Sequence, residues 1–167
     1  MADGYHNRPR IYELPNNLYK IEEPLQYSWT VNGVPNRLTI MASPSEPYIW
    51  DGASIPPVAT FITWILPWFQ TIYPMGLHIY ASAFHDELFK YQGRIPEGMH
   101  EVYKDGAWVD ADKIWTFTEC NKLFARHLRE DGVGKKERRA MYLSVQSPIG
   151  YYNWIRGKVP EDAKPKK

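Results

Sequence analysis

The spacing of apolar residues changes character about a third of the way along the chain. From Leu18 to Trp50 apolar and polar residues alternate loosely, the period of half-buried strands. Leu18 to Trp29 reads as an edge strand because Pro24 lies inside it and cannot donate to a ladder. Asn32-Gly33 is a two-residue hairpin signal between Ser28-Trp29-Thr30-Val31 and Arg37-Leu38-Thr39-Ile40-Met41, although Val34-Pro35-Asn36 leaves the register open. A loop over Ala42–Pro47 precedes a short extended Tyr48-Ile49-Trp50, which delivers Asp51. Beyond Pro56 the period becomes helical. The predicted helices cover roughly 57–66, 76–91, 111–130 (capped by Asp110 and stopped by Asp131-Gly132) and 134–146. Between the second and third, residues 92–109 form a connection with a small hairpin around Lys104-Asp105-Gly106, and a Trp154-containing segment closes the chain. The expected fold is α+β: a small antiparallel N-terminal sheet packed on three or four helices. Residues 1–16 read as an irregular arm, 17–156 as one domain and 157–167 as a charged flexible tail.

Polar residues interrupt the apolar pattern at three places. No Pro or Gly lies between Leu77 and Tyr91, and on a helix there His78, Ala81, Ser82, His85, Leu88 and Phe89 share one face. The His85 imidazole is thereby aimed inward, with the Asp86 carboxylate one residue on. The long helix turns Ile114, Phe117, Asn121, Phe124 and Leu128 inward, which places an amide in an apolar stripe. If the two helices pack antiparallel, that amide can hydrogen-bond the imidazole and fix its orientation. The third is Asp51-Gly52-Ala53-Ser54-Ile55-Pro56, where Asp51 can enter the same cleft, and Gly52 and Ser54 can bind an anion or cap the next helix. The architectural alternative is a tight turn followed by a helix whose first turn tolerates proline.

Composition narrows the function classes. With 20 basic and 19 acidic residues the chain carries no nucleic-acid footprint. One cysteine, Cys120, excludes an internal disulfide framework and reads as a small buried hydrophobe. The polar N-terminus does not read as a signal peptide, which points to the cytoplasm. Residues 58–84 hold no formal charge, but Pro67, Pro74 and Gly76 interrupt them, so a membrane span is not expected. Contact of Trp64, Trp68 and Phe69 with a membrane surface is the minority reading. The abundance of Trp, Tyr and Phe, 15% of residues, suggests a protein contact surface beside the core. Among the other histidines, His78 is expected in the core or lining the cleft. His127 is expected near a helix C-terminus, where positive charge is favourable, and His100 in a loop.

Asp51-Gly52-Ala53-Ser54-Ile55-Pro56, His85-Asp86-Glu87-Leu88 and Glu119-Cys120-Asn121-Lys122-Leu123-Phe124 follow the order of a phage and prophage family. The chain resembles that family, called domain of unknown function 1353, over roughly residues 30 to 155. The resemblance continues through Gly132-Val133 and Arg139-Ala140-Met141-Tyr142 to Gly150 and Trp154. It implies a phage-encoded protein, resident in the host cytoplasm or carried in the virion. The family commonly has Asp where this chain has Asn121, and Asn orients an imidazole without neutralising an imidazolium. A weaker likeness in site logic is to secreted-type phospholipases A, whose helix carries an adjacent His-Asp pair; this chain lacks their disulfides and Gly-rich calcium loop.

Two functional readings follow. In one, His85, Asp86, Asn121 and Asp51 form a hydrolase-like site, with Asp51 and Asp86 as oxygen ligands for Ca2+ or another divalent cation. In the other, the protein is a non-enzymatic virion component or a small host-directed binding protein. Its aromatic surface then meets other phage or host proteins, and His85, Asp86 and Asn121 are a structural polar network.

Overall fold

The computed structural model describes residues 3–51 and 78–157. Among the described residues, eight strands and four α-helices make an α+β fold: β1 (Gly4–Tyr5), β2 (Tyr12–Leu14), β3 (Leu18–Ile21), β4 (Leu25–Val31), β5 (Val34–Ile40), β6 (Tyr48–Trp50), α1 (Ile79–Lys90), β7 (His100–Lys104), β8 (Ala107–Asp110), α2 (Phe117–Glu130), α3 (Lys135–Val145) and α4 (Pro148–Arg156). A five-stranded sheet has the order β1-β4-β5-β7-β8, and a three-stranded sheet the order β2-β3-β6. All the pairings are antiparallel.

The hairpin at Asn32-Gly33 forms with both turn residues at positive φ, 51° and 81°, the conformation a two-residue loop between twisted strands requires. Its register runs from Leu25 opposite Ile40 to Val31 opposite Val34, so the second strand starts immediately after the turn. Pro35 is tolerated there because β7 joins β5 only over Asn36–Leu38, leaving no ladder bond for its missing N–H. Leu18 to Trp29 is two strands rather than one: the chain breaks around Pro24, and β3 and β4 enter different sheets.

Three expectations are corrected. Residues 1–16 are not wholly irregular, because Gly4–Tyr5 pair with β4 and Tyr12–Leu14 with β3. The sheet is not confined to the N-terminal third: the hairpin at Lys104-Asp105-Gly106 adds β7 and β8 to it, with Arg37 opposite Glu101 and its Nε donating to that carboxylate at 2.9 Å. The long helix begins at Phe117 rather than 111. Thr116 caps it, accepting from the Glu119 N–H while the Glu119 carboxylate accepts from the Thr116 N–H, a reciprocal capping box. Asp110 instead ends β8 and accepts from the N–H groups of Gly98 and Asp112.

The main core joins Ile21, Leu25, Tyr27, Leu38 and Ile40 of the strands to Phe84 and Leu88 of α1 and Leu123 of α2. A second cluster of Ala81, Phe124, Leu128 and Met141 lies where α1, α2 and α3 meet. Ascending α1, Ala81 meets Asp131, His85 meets Asn121 and Phe89 meets Phe117. The partners descend as α1 ascends, so α1 and α2 are antiparallel. Gly93 sets their spacing. At φ 74° it passes so close to Trp115 that a Cβ would overlap the Trp115 carbonyl, while its own carbonyl accepts from the Trp115 N–H at 2.9 Å. Among the described residues no helix is long and apolar enough to cross a membrane.

Candidate functional site

His85 occupies the middle of α1 and Asn121 the first half of α2, and antiparallel packing brings them together. His85 Nε2 and Asn121 Oδ1 lie 2.8 Å apart, and the amide nitrogen of Asn121 reaches the Val145 carbonyl at 3.4 Å. The two contacts fix the chemistry of the pair. An amide oxygen only accepts, so Nε2 carries the hydrogen, and in the neutral ring Nδ1 keeps its lone pair. Phe89 and Phe124 flank the imidazole, with ring centroids at 4.0 and 4.6 Å. Asn121 is fully buried, and His85 nearly so.

Nδ1 faces the other way, toward Asp86, whose Oδ1 lies 3.9 Å from it. The Asp86 side chain is 26% exposed, yet its Oδ2 is buried and accepts no hydrogen bond from the described residues. Burial is the largest influence on this carboxyl and pushes its pKa up from 3.8 to about 7. The neighbouring imidazole pulls it partly back, and Asp51, within hydrogen-bonding reach, pushes it up again. A proton retained on Asp86 relieves both its repulsion with Asp51 and its own desolvation. Asp51 is exposed, whereas His85 on the other side of Asp86 is nearly buried.

The structure therefore brings together four of the six residues singled out from sequence: Asp51, His85, Asp86 and Asn121. Gly52 and Ser54 lie outside the described residues, as do the predicted helix at 57–66 and the aromatic group Trp64, Trp68 and Phe69. Sequence reading missed two neighbours. Glu87 is buried on α1, and the Tyr48 hydroxyl donates to the Ala83 carbonyl at 3.1 Å. Burial, followed by the Glu87, Asp86 and Asp51 carboxyls, raises the Tyr48 pKa well above its ordinary value. The available signal was alternation on β6, where Tyr48 and Trp50 share a face two residues apart and Trp50 Nε1 donates to Ser82 Oγ at 3.3 Å. Among the described residues no group of three or more His, Cys, Asp or Glu is disposed to hold a metal ion.

The remaining side chains of interest divide cleanly. His78 is buried, as expected, and burial lowers its pKa. Cys120 is fully buried and its thiol is pushed far up, as for an inert apolar residue. His127 lies in the last turn of α2, as expected, but it is fully buried against Tyr27 and Phe84, neither ring nitrogen has a partner among the described residues, and desolvation drives its pKa down to about 3. A favourable charge at the helix end is thus not available to it. His100 is corrected as well, being a buried strand residue whose Nε2 lies 3.0 Å from Asn36 Oδ1. No protein-family model, curated protein or solved structure matches the chain.

Proposed function

We propose that the protein is a phage-encoded hydrolase in which His85 and Asp86 act as base and acid. The supporting observation is one arrangement: an imidazole held by Asn121 through Nε2–H, with Nδ1 3.9 Å from a carboxyl whose pKa is pushed up to about 7. That gap is too long for a direct hydrogen bond and suits a water bridging the two groups. In the proposed reaction this water attacks an ester or phosphoester, its proton passing to His85 Nδ1. Asp86, whose carboxyl burial keeps protonated to higher pH than usual, gives its proton to the leaving-group oxygen. The neighbouring Asp51 carboxyl favours keeping that proton on Asp86. Ca2+ or another divalent cation would take Asp51 and Asp86 as its oxygen ligands in place of that proton; two carboxylates are few for a hard cation, and no step requires one.

A second reading has its own support. The imidazole is packed between two phenylalanines and satisfied by a buried amide, as in a polar pair that specifies helix packing. The protein would then be a virion component or a host-directed binding protein, acting in the host cytoplasm or within the particle. Its partner would meet the exposed Leu143, Ile149, Tyr151 and Ile155 on α3 and α4.

His85→Gln separates the two readings, because glutamine can keep the bond to Asn121 but cannot serve as a base. Hydrolysis of p-nitrophenyl esters and phosphoesters should fall to background in the variant, with its Tm within a few degrees of the parent. Equal turnover in parent and variant, or none in either across these substrates, overturns the hydrolase reading.

A further inference from the structure

The helix that supplies Asn121 has a second functional-looking stripe. Glu119, Lys122, Leu123 and Arg126 follow helical spacing on a face distinct from the one carrying Asn121, Phe124 and Leu128 toward α1. This stripe walls an open groove of about 400 Å3, whose other side comes from Trp29, Val31, Val34 and Asn36 of the hairpin, His100 of β7, and the extended Lys113–Trp115 segment. The volume is within the ~300–1,000 Å3 typical of small-molecule sites. None of Asp51, His85, Asp86 or Asn121 lines it.

Its floor is built in advance. Trp29 and the His100 ring stack at 5.5 Å with 21° between their planes, and the Trp115 ring closes on both at 6.0 and 5.1 Å. Asn36 holds the His100 ring from the other side. Trp29 and Trp115 are about 95% buried, so the aromatic base does not have to be ordered when a ligand arrives. The Trp115 indole Nε1–H has no acceptor among the described residues. An acceptor brought by a ligand would satisfy a donor that is otherwise costly to leave alone.

The rim selects charge. Three cations and one carboxylate line the groove, but two of the cations are already committed. Lys113 pairs with Glu119 at 2.6 Å, and Arg126 pairs with Asp3 of the N-terminal segment. Lys122 is exposed and pairs with no carboxylate among the described residues. One positive charge unpaired among the described residues, beside an apolar, tryptophan-based cleft, complements a flat apolar body with a single negative charge. A phosphate dianion would be left half compensated. We propose that this groove binds a small aromatic monocarboxylate, with the ring against Trp29, Trp115 and Leu123 and the carboxylate on Lys122.

The experiment follows indole N–H resonances by NMR in the full chain as 2-naphthoate is added, with the neutral 2-naphthamide as control. Trp115→Phe assigns the Trp115 signal. The expected result is a saturable shift of that signal with naphthoate and weaker binding of the amide. Lys122→Gln should weaken naphthoate roughly two- to fivefold, the range of a solvent-screened ion pair, and Lys122→Glu more. Lys122 is exposed, so both variants should fold. Absence of a saturable shift overturns the proposal. So does equal binding of acid and amide with no effect of Lys122→Glu, which would make the groove an unselective apolar crevice.

Discussion

Asp86 is where burial and chemistry oppose each other most directly. Its folded-state pKa of about 7 stands against an ordinary 3.8, so the folded protein holds a proton that the unfolded chain releases. The stability this contributes is complete below about pH 4 and is lost as pH rises through 7. Asp86→Asn is neutral at every pH and escapes that loss. Urea melts should show the variant more stable than the parent at pH 8, by on the order of 2 kcal/mol, with the difference closing toward pH 4. A constant offset across that range would show that Asp86 is not desolvated. Asn121 poses the complementary test. Asn121→Asp sets a carboxylate against the imidazole N–H and also against the Val145 carbonyl, which now accepts from the amide. A buried charge and a lost donor should cost about 1–3 kcal/mol. If His85 is a base, the new charge stabilises the imidazolium formed during proton transfer, and turnover should rise while Tm falls. A destabilised variant that stays inert points to the packing role.

At the scale of elements, α2 fixes both the imidazole partner and one wall of the Trp29–Trp115 groove, and its start is set by Thr116 and Glu119. Thr116→Ala removes the acceptor for the Glu119 N–H and should cost about 1 kcal/mol, read as a lowered denaturation midpoint with unchanged slope. Sequence alone favoured Asp110 as the cap. Thr116 and Glu119 form the Ser/Thr-x-x-Glu pattern just before the apolar stripe, and the stripe itself was already readable from Phe117, Asn121, Phe124 and Leu128. The pairing of His85 with Asn121 was likewise readable, because helical spacing fixes which side chains point inward. Strand membership was harder. Residues 4–5 and 12–14 are too short to announce strands by period, and the hairpin at 104–106, although signalled by its turn, joins the sheet through β5, about 60 residues earlier. Asp51 meets Asp86 for the same kind of reason: the order β2-β3-β6 places the end of β6 beside α1, and no local pattern encodes that approach. His100 looked like loop because its burial is created by Trp29 and Asn36, 71 and 64 residues earlier.

Across the whole molecule, three buried titratable groups give the fold an unusual response to acid. Asp131 is held by Tyr5, Arg8 and the Ala81 N–H and so ties the N-terminal segment to the junction of α1 and α2. Burial nevertheless raises its pKa to about 6, the partners only partly opposing it. Asp131 and Asp86 therefore both favour the folded state at low pH, and that contribution is lost as pH rises from about 4 through 6 and 7 respectively. His127 works in the opposite sense. Its folded pKa of about 3 lies below the ordinary 6.5, so its neutral form supports the fold above 6.5, and that support is lost as pH falls toward 3. Between pH 4 and 6 the two carboxyls and the imidazole partly cancel, which should flatten the stability profile. His127→Leu keeps the packing against Tyr27 and Phe84 and removes two nitrogens that have no partner among the described residues. At pH 7 the variant should be as stable as the parent or slightly more so. At pH 4 it should gain a further amount on the order of 2–4 kcal/mol, because only the parent must then keep its imidazole deprotonated to fold. Guanidinium melts at both values read the difference, with the slope of stability against pH between 4 and 6 turning more steeply downward in the variant. A variant whose stability changes between pH 7 and pH 4 by the same amount as the parent's would mean that His127 can be protonated without unfolding, and the cavity between Tyr27, Phe84 and α2 would then have to admit water.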